Sequence, residues 1–190
     1  SPAGENLYFT LVLRVSNEAQ KLLPVAVPLA VCEAIQRDAP DAAIKWPNDI
    51  WLGGRKLCGM LIDAESSPEG AVAYPGIGIN VNGDPTLNPE LRDIATSLRR
   101  ELGREVEREE LLARICNALE AALETPEPAL VREYRARSLV LGQNVTVIPA
   151  SGGGYGALAV GIAADGSLVV EHPNGSRETV TAAEVSLRPA

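Results

Sequence analysis

Hydrophobic and polar positions alternate from Asn6 to Val15, with Leu7, Phe9, Leu11, Leu13 and Val15 on one parity, which predicts a half-buried strand. Leu22 to Arg37 is apolar and helix-like, and its Pro24 and Pro28 fit a helix only near the first turn. Ala42 to Trp46 predicts a short strand ended by Pro47, after which Asn48 and Asp49 make a turn by bonding their own backbone. Two apolar arms, Ile50 to Leu52 and Leu57 to Ala64, flank Gly53-Gly54-Arg55-Lys56 and predict a hairpin. A further strand is expected from Ala71 to Val81, with Gly76 and Gly78 inside it.

Helical spacing follows. Pro89 to Leu102 predicts a helix that starts after Asn88 and closes at Gly103. Glu107 to Leu123 puts Leu111, Leu112, Ile115, Leu119 and Leu123 on one face. Pro126 and Pro128 end that helix, and Leu130 to Arg137 predicts one more. From about Leu139 the period becomes two, through Val145, Val147, Leu158, Val160, Leu168, Val170 and Val180, with tight turns at Asp165-Gly166 and Asn174-Gly175. This predicts a small antiparallel barrel of about fifty residues, marginal alone and so leaning on what precedes it. The expected division is 1–138 and 139–190.

Composition narrows the function classes. The chain has 190 residues, 46% hydrophobic and 22% charged, the balance of a globular protein that needs no disulfide or metal to hold its core. Its net charge of −8 argues against binding DNA or an anionic membrane through bulk electrostatics. The apolar stretch from Leu22 to Ile35 is too short and too interrupted to span a bilayer, and no charged-then-apolar signal segment opens the chain. Cys32, Cys58 and Cys116 are an odd number without a CxxC and read as small buried hydrophobes. His172, the one histidine, stands beside a Pro-Asn-Gly turn and is a poor candidate for a nucleophilic mechanism. A reduced, cytoplasmic protein is expected.

Three segments carry chemistry: Lys45-Trp46-Pro47-Asn48-Asp49, then Gly54-Arg55-Lys56-Leu57-Cys58-Gly59-Met60-Leu61, then Gly76-Ile77-Gly78-Ile79-Asn80-Val81-Asn82. Glycine weakens a strand unless something approaches the backbone, so Gly59, Gly76 and Gly78 suggest a sheet surface on which a flat ligand lies. Lysines at strand ends offer point charges to phosphate or carboxylate. Asp49 offers an oxygen to magnesium, and Asn80 has the paired donor and acceptor that read a purine edge. Each has a plainer reading: a bulge for Gly76 and Gly78, solvated cations for Lys45 and Lys56, core for Trp46.

Together and in this order, these segments resemble the catalytic core of biotin–protein ligases, the biotin–[acetyl-CoA-carboxylase] ligases. Ser1 to Tyr8 resembles the stretch after that family's glycine/arginine-rich loop, and the end, Glu184-Val185-Ser186-Leu187-Arg188, matches its C-terminal barrel. The resemblance implies an α/β (α+β) fold: a mixed sheet with helices packed on one face, a class II synthetase-like core, then a small SH3-like β-barrel. It implies activation of biotin by ATP and Mg2+ to biotinyl-5′-AMP. Transfer to a lysine of the biotin carboxyl carrier protein of acetyl-CoA carboxylase would follow. On the family pattern Lys56 and Asp49 are catalytic, and Lys56, Gly59, Leu61, Gly76 and Gly78 contact biotin. Asn48, Asp49, Asn80 and Lys45 serve ATP and the adenylate, and Asp49 serves magnesium.

The family's glycine/arginine-rich loop would lie upstream of Ser1, outside this sequence. The expectation is therefore that the chain carries the ATP-side motifs with half of the biotin pocket and ligates poorly alone. A sheet edge left open there would allow pairing with a second copy as a homodimer. A non-catalytic nucleotide- or carrier-binding remnant is one alternative, and a lipoate–protein ligase is another. Arg99-Arg100 and Arg135 to Arg137 read as solvated helix faces.

Overall fold

The alternating N-terminal segment forms two strands, β1 (Leu7–Thr10) and β2 (Leu13–Val15), where one was expected. Both run antiparallel to the same long strand, β6 (Gly70–Ile79), and the break falls opposite Pro75. Leu11 N–H donates to the Pro75 carbonyl at 3.1 Å, but proline has no N–H to return, so the ladder lapses there. The structure, a computed structural model, describes residues 4–149, 152–181 and 183–187, the last five as backbone only. Ser1, Pro2, Ala3 and Arg188, which belong to the sequence motifs above, lie outside the described residues.

The first sheet has the order β1-β6-β5-β4-β3, with β3 at Ala43–Lys45, β4 at Asp49–Leu52 and β5 at Arg55–Ser67. Its named ladders are antiparallel, and its parallel pairings are the bridges Ile44–Ser138 and Lys56–Ala95. Gly53 and Gly54, at φ 57° and 75°, alone form the β4–β5 loop, with Leu52 paired to Arg55. A two-residue hairpin turn needs positive φ at both positions, which glycine supplies without steric cost. Arg55 and Lys56, expected in the loop, are therefore strand residues.

One helix covers a face of the first sheet, and two more pack against that helix. Helix α1 (Asn17–Gln36) opens at Ser16, whose hydroxyl accepts the Ala19 N–H at 3.1 Å. Pro24 and Pro28 lie in its interior, not its first turn. Each removes a helix donor. The offsetting gain is burial: Leu23 and most residues from Val25 to Ile35 are enclosed, as befits a helix apolar all round. Helix α3 (Arg108–Glu124) buries Leu111, Ile115 and Leu119 as its spacing predicted, and α4 (Glu127–Ala136) follows.

The expected helix from Pro89 to Leu102 shrinks to α2 (Leu98–Leu102), closed by Gly103 at φ 69°. Upstream, Ile94 and Thr96 exchange backbone hydrogen bonds with Lys56. Those Lys56 groups lie beyond the end of β6, and sheet pairing satisfies them where a helix could not.

The second sheet is antiparallel in the order β10-β9-β8-β7-β11, comprising β7 (Asn144–Pro149), β8 (Tyr155–Ile162), β9 (Leu168–Glu171), β10 (Arg177–Val180) and β11 (Ala183–Leu187). Val145, Val147, Ala159, Leu168 and Val170 join the same continuous core as α1 and the first sheet. Trp46 is buried at the junction, its indole N–H donating to the Gly166 carbonyl at 2.8 Å. Arg135 is no merely solvated cation: it donates to the Ile162 carbonyl and ties α4 to β8. Arg137 likewise pairs with Glu33 and Glu133. Among the described residues, no helix is long and apolar enough to cross a membrane.

Candidate functional site

Strand periodicity gives the first sheet two unlike faces. Ile44, Ile50, Cys58, Met60, Ile77 and Ile79 are buried on the helix side. The other parity faces away, and register aligns its members across five strands: Lys45 opposite Asp49, Asp49 opposite Gly59, Gly59 opposite Gly78, and Gly78 opposite Tyr8. The next row runs Leu61, Gly76, Thr10. A register irregularity between Ile50 and Trp51 puts Lys56 opposite Trp51, on the same face as Asp49, while Leu57 turns into the core.

Seven of the nine candidate residues thus share one surface: Lys45, Asp49, Lys56, Gly59, Leu61, Gly76 and Gly78. At its centre Lys56 Nζ pairs with Asp49 Oδ1 at 2.7 Å. The pair lies over Gly59, where an added Cβ would stand 2.9 Å from Lys56 Cε and 3.5 Å from Asp49 Oδ1. Lys45 Nζ is 4.9 Å from the centroid of the Trp51 ring, a cation–π contact. Leu61 is 64% exposed, an uncovered apolar side chain beside the glycines.

The other two candidates do backbone work. Asn48 donates its amide to the Met60 carbonyl, and its own carbonyl accepts the Met60 N–H at 3.0 Å, so it braces the turn against β5. Asn80 follows β6 and donates to the Thr96 carbonyl at 3.0 Å. It also lines a cavity of about 410 Å3 with Asn6, Tyr8, Gly83, Leu87 and Leu91. Tyr8, 64% exposed, borders both this cavity and the glycine row, since an added Cβ on Gly78 would lie 3.2 Å from its ring.

Three participants are not among the nine candidate residues. Trp51 and Tyr8 share the strand parity of Asp49 and the alternation that turns Leu7 and Phe9 inward, which is the signal that could have found them. Asn6 has no such signal: its Oδ1 accepts the N–H groups of Val81 and Gly83 at 2.8 and 3.1 Å, fixing the chain after Asn80.

The cysteines stay out of this chemistry. Burial pushes the Cys32 thiol up to about 12 and the Cys58 thiol higher still, so neither offers a thiolate at neutral pH. Cys116 is half-buried, less enclosed than expected. His172 lies in the turn between β9 and β10, stacked on Tyr155 and bonded to Glu178 at 2.9 Å.

Residues 1–82 match the Biotin/lipoate A/B protein ligase family, and residues 140–188 match the Biotin protein ligase C terminal domain. Over 97% of its length the chain is 34% identical to the biotin–[acetyl-CoA-carboxylase] ligase of Paracoccus denitrificans, of which it covers 80%. It is 32% identical to the bifunctional ligase/repressor BirA of Bacillus subtilis over 96% of its own length, but spans only 58% of that relative. The structure of the Aquifex aeolicus biotin protein ligase in complex with biotin and ATP matches with a TM-score of 0.76 and 27% identity, over 98% of this chain and 79% of that one.

Proposed function

Since the chain belongs to the biotin–protein ligase family, we propose that its open sheet face joins biotin to ATP and passes the biotinyl group to a carrier-protein lysine. The observation that carries this reading is the Lys56–Asp49 pair poised over Gly59 in the middle of that face. In the first step a biotin carboxylate oxygen attacks the α-phosphorus of ATP, and pyrophosphate leaves with the electrons of the broken P–O bond. In the second, the carrier lysine's amine attacks the acyl carbon of the mixed anhydride, forms the amide and expels AMP, its proton passing to solvent.

The first step brings two anions together, and a fixed ammonium lowers that cost. Of 17 cationic residues only three are lysines, Lys21, Lys45 and Lys56, and two of these stand on this face. In an otherwise acidic chain they make a local site for anionic oxygens, as compact charges that arginine does not mimic. Asp49 holds Lys56 in place. The glycine row with Leu61 suits a flat ring system, and the cavity beside Asn80 suits a purine. No residue need form a covalent intermediate, because positioning and electrostatics suffice.

Magnesium that travels with ATP is held largely by phosphates and water and needs one or two protein carboxylates. Among the described residues no cluster of three metal-ligating side chains exists. Asp49 fits the lesser role: it is the carboxylate beside both lysines, and the ion would add positive charge where pyrophosphate departs. The partner in this reading is the carrier protein, and residues 1–138 would carry the site while 139–190 buttress it.

Pyrophosphate release from MgATP by the 190-residue chain, with biotin, with lipoate and with neither, tests the reading. Biotin-dependent release is the expected result. Release dependent on lipoate would move the substrate, and no release with either acid would leave a binding remnant.

A further inference from the structure

Lys56 and Asn80 lie close together where the β5–β6 ladder ends, the Leu57 carbonyl accepting the Asn80 N–H at 3.0 Å, and one short segment is bonded to both. Ile94 carbonyl accepts the Lys56 N–H at 2.9 Å, and the Thr96 N–H donates to the Lys56 carbonyl at 2.9 Å. The Thr96 carbonyl in turn accepts the Asn80 amide at 3.0 Å, and the Leu98 N–H donates to the Asn80 carbonyl at 3.1 Å. Residues 94–98 are thus a strap that clamps both residues past the end of the ladder. Thr96, Ser97 and Leu98 are almost wholly buried.

The strap is held from one point. Glu101 Oε1 accepts the Thr96 hydroxyl and also Arg55 Nη2, the latter at 2.8 Å. Arg55 directly precedes Lys56, so one carboxylate oxygen grips both the strap and the strand that presents the lysine. Its other oxygen would lie 2.8 Å from a Cβ on Gly53, so the hairpin turn closes against it. Arg55 Nε is buried and makes no hydrogen bond among the described residues, so the guanidinium depends on Glu101 Oε1 as an acceptor.

We propose that Glu101 is a positioning residue of the ligase site, acting through Thr96 and Arg55 to hold Lys56 and Asn80 in place where the β5–β6 ladder ends. The proposal rests on the reading of those two as ligand-contacting residues. Glu101 touches no substrate in it. Because both bonds converge on one oxygen, the neutral amide of Glu101→Gln can still accept both, whereas Glu101→Ala can accept neither.

Two measurements test it on the 190-residue chain. In hydrogen–deuterium exchange, Glu101→Ala should speed exchange of the Lys56 and Thr96 amides by about tenfold, with Val145 and Val147 in the second sheet unchanged, and Glu101→Gln should restore most of the protection. In biotin-dependent pyrophosphate release, Glu101→Ala should lower kcat by about ten- to a hundredfold with a smaller change in KM for ATP, and Glu101→Gln should recover most of it. Thr96→Val, which deletes one donor at constant shape, should give a weaker form of the same pattern and guards against a Glu101→Ala that fails to fold. Wild-type exchange and kinetics in Glu101→Ala, or a Glu101→Gln as impaired as the alanine variant, would overturn the proposal. An inactive wild type would instead sink the ligase reading, while exchange still decides the strap.

Discussion

Gly59→Ala is the sharpest probe of the site, because the structure separates its effect on folding from its effect on chemistry. A Cβ there would lie 2.9 Å from Lys56 Cε, 3.0 Å from Nζ and 3.5 Å from Asp49 Oδ1. The obstructing atoms are the end of a flexible, half-exposed side chain, not backbone. Lys56 must retreat by about 0.5–1 Å to restore ordinary contact distances of about 3.5–4.0 Å. An exposed lysine rotates at little cost and its surface pair contributes at most about 1 kcal/mol, so stability should move by no more than that. Catalysis has no such tolerance, since a misplacement of about 1 Å costs about a hundredfold. Biotin-dependent pyrophosphate release should therefore fall by about ten- to a hundredfold while thermal unfolding shifts by only a few degrees. Unimpaired release by a folded Gly59→Ala would refute the placement of Lys56 at the reacting centre. A large loss of stability would refute the claim that only the lysine's end is displaced.

Lys56→Ala should abolish most adenylate formation and leave the denaturation midpoint nearly unchanged, which urea unfolding and the same pyrophosphate assay would show together. Asn6→Ala strips the acceptor from two backbone donors, Val81 and Gly83, and should cost about 1–3 kcal/mol in urea unfolding. Trp46→Phe keeps most of the buried ring but leaves the Gly166 carbonyl unpaired, and should cost a similar amount. In the second sheet, hydrogen bonds from Tyr155 and then His172 hold the Glu178 carboxyl below its ordinary range. A carboxyl depressed on folding stabilises above its unfolded pKa and loses that contribution as pH falls through the folded one. The stability gap between wild type and Glu178→Gln should thus narrow steadily on acidification below the ordinary glutamate range, as urea titrations at stepped pH would measure.

How much of this is legible in the chain alone depends on where the determining interaction lies. Period-two alternation suffices for the strands, and i, i+3, i+4 spacing for α3, because burial of one face is a local pattern. Ordered motifs locate the candidate residues, since lysine, aspartate and glycine at set intervals mark chemistry before any fold is known. What spacing cannot supply is register. That Lys45, Asp49, Gly59, Gly78 and Tyr8 form one row depends on four pairings between strands, and that Lys56 joins it depends on a single irregularity after Ile50. Moving any of these strands by one residue would turn its share of the site into the core. The failures have the same origin. Pro24 and Pro28 are disfavoured in a helix interior by local chemistry, and burial of nearly every side chain around them outweighs that preference. Residues 89–97 have a helix-like pattern, yet the unpaired backbone of Lys56 draws Ile94 and Thr96 into the sheet. The strap that clamps Lys56 and Asn80 therefore arises where local propensity loses to a distant backbone's need for partners.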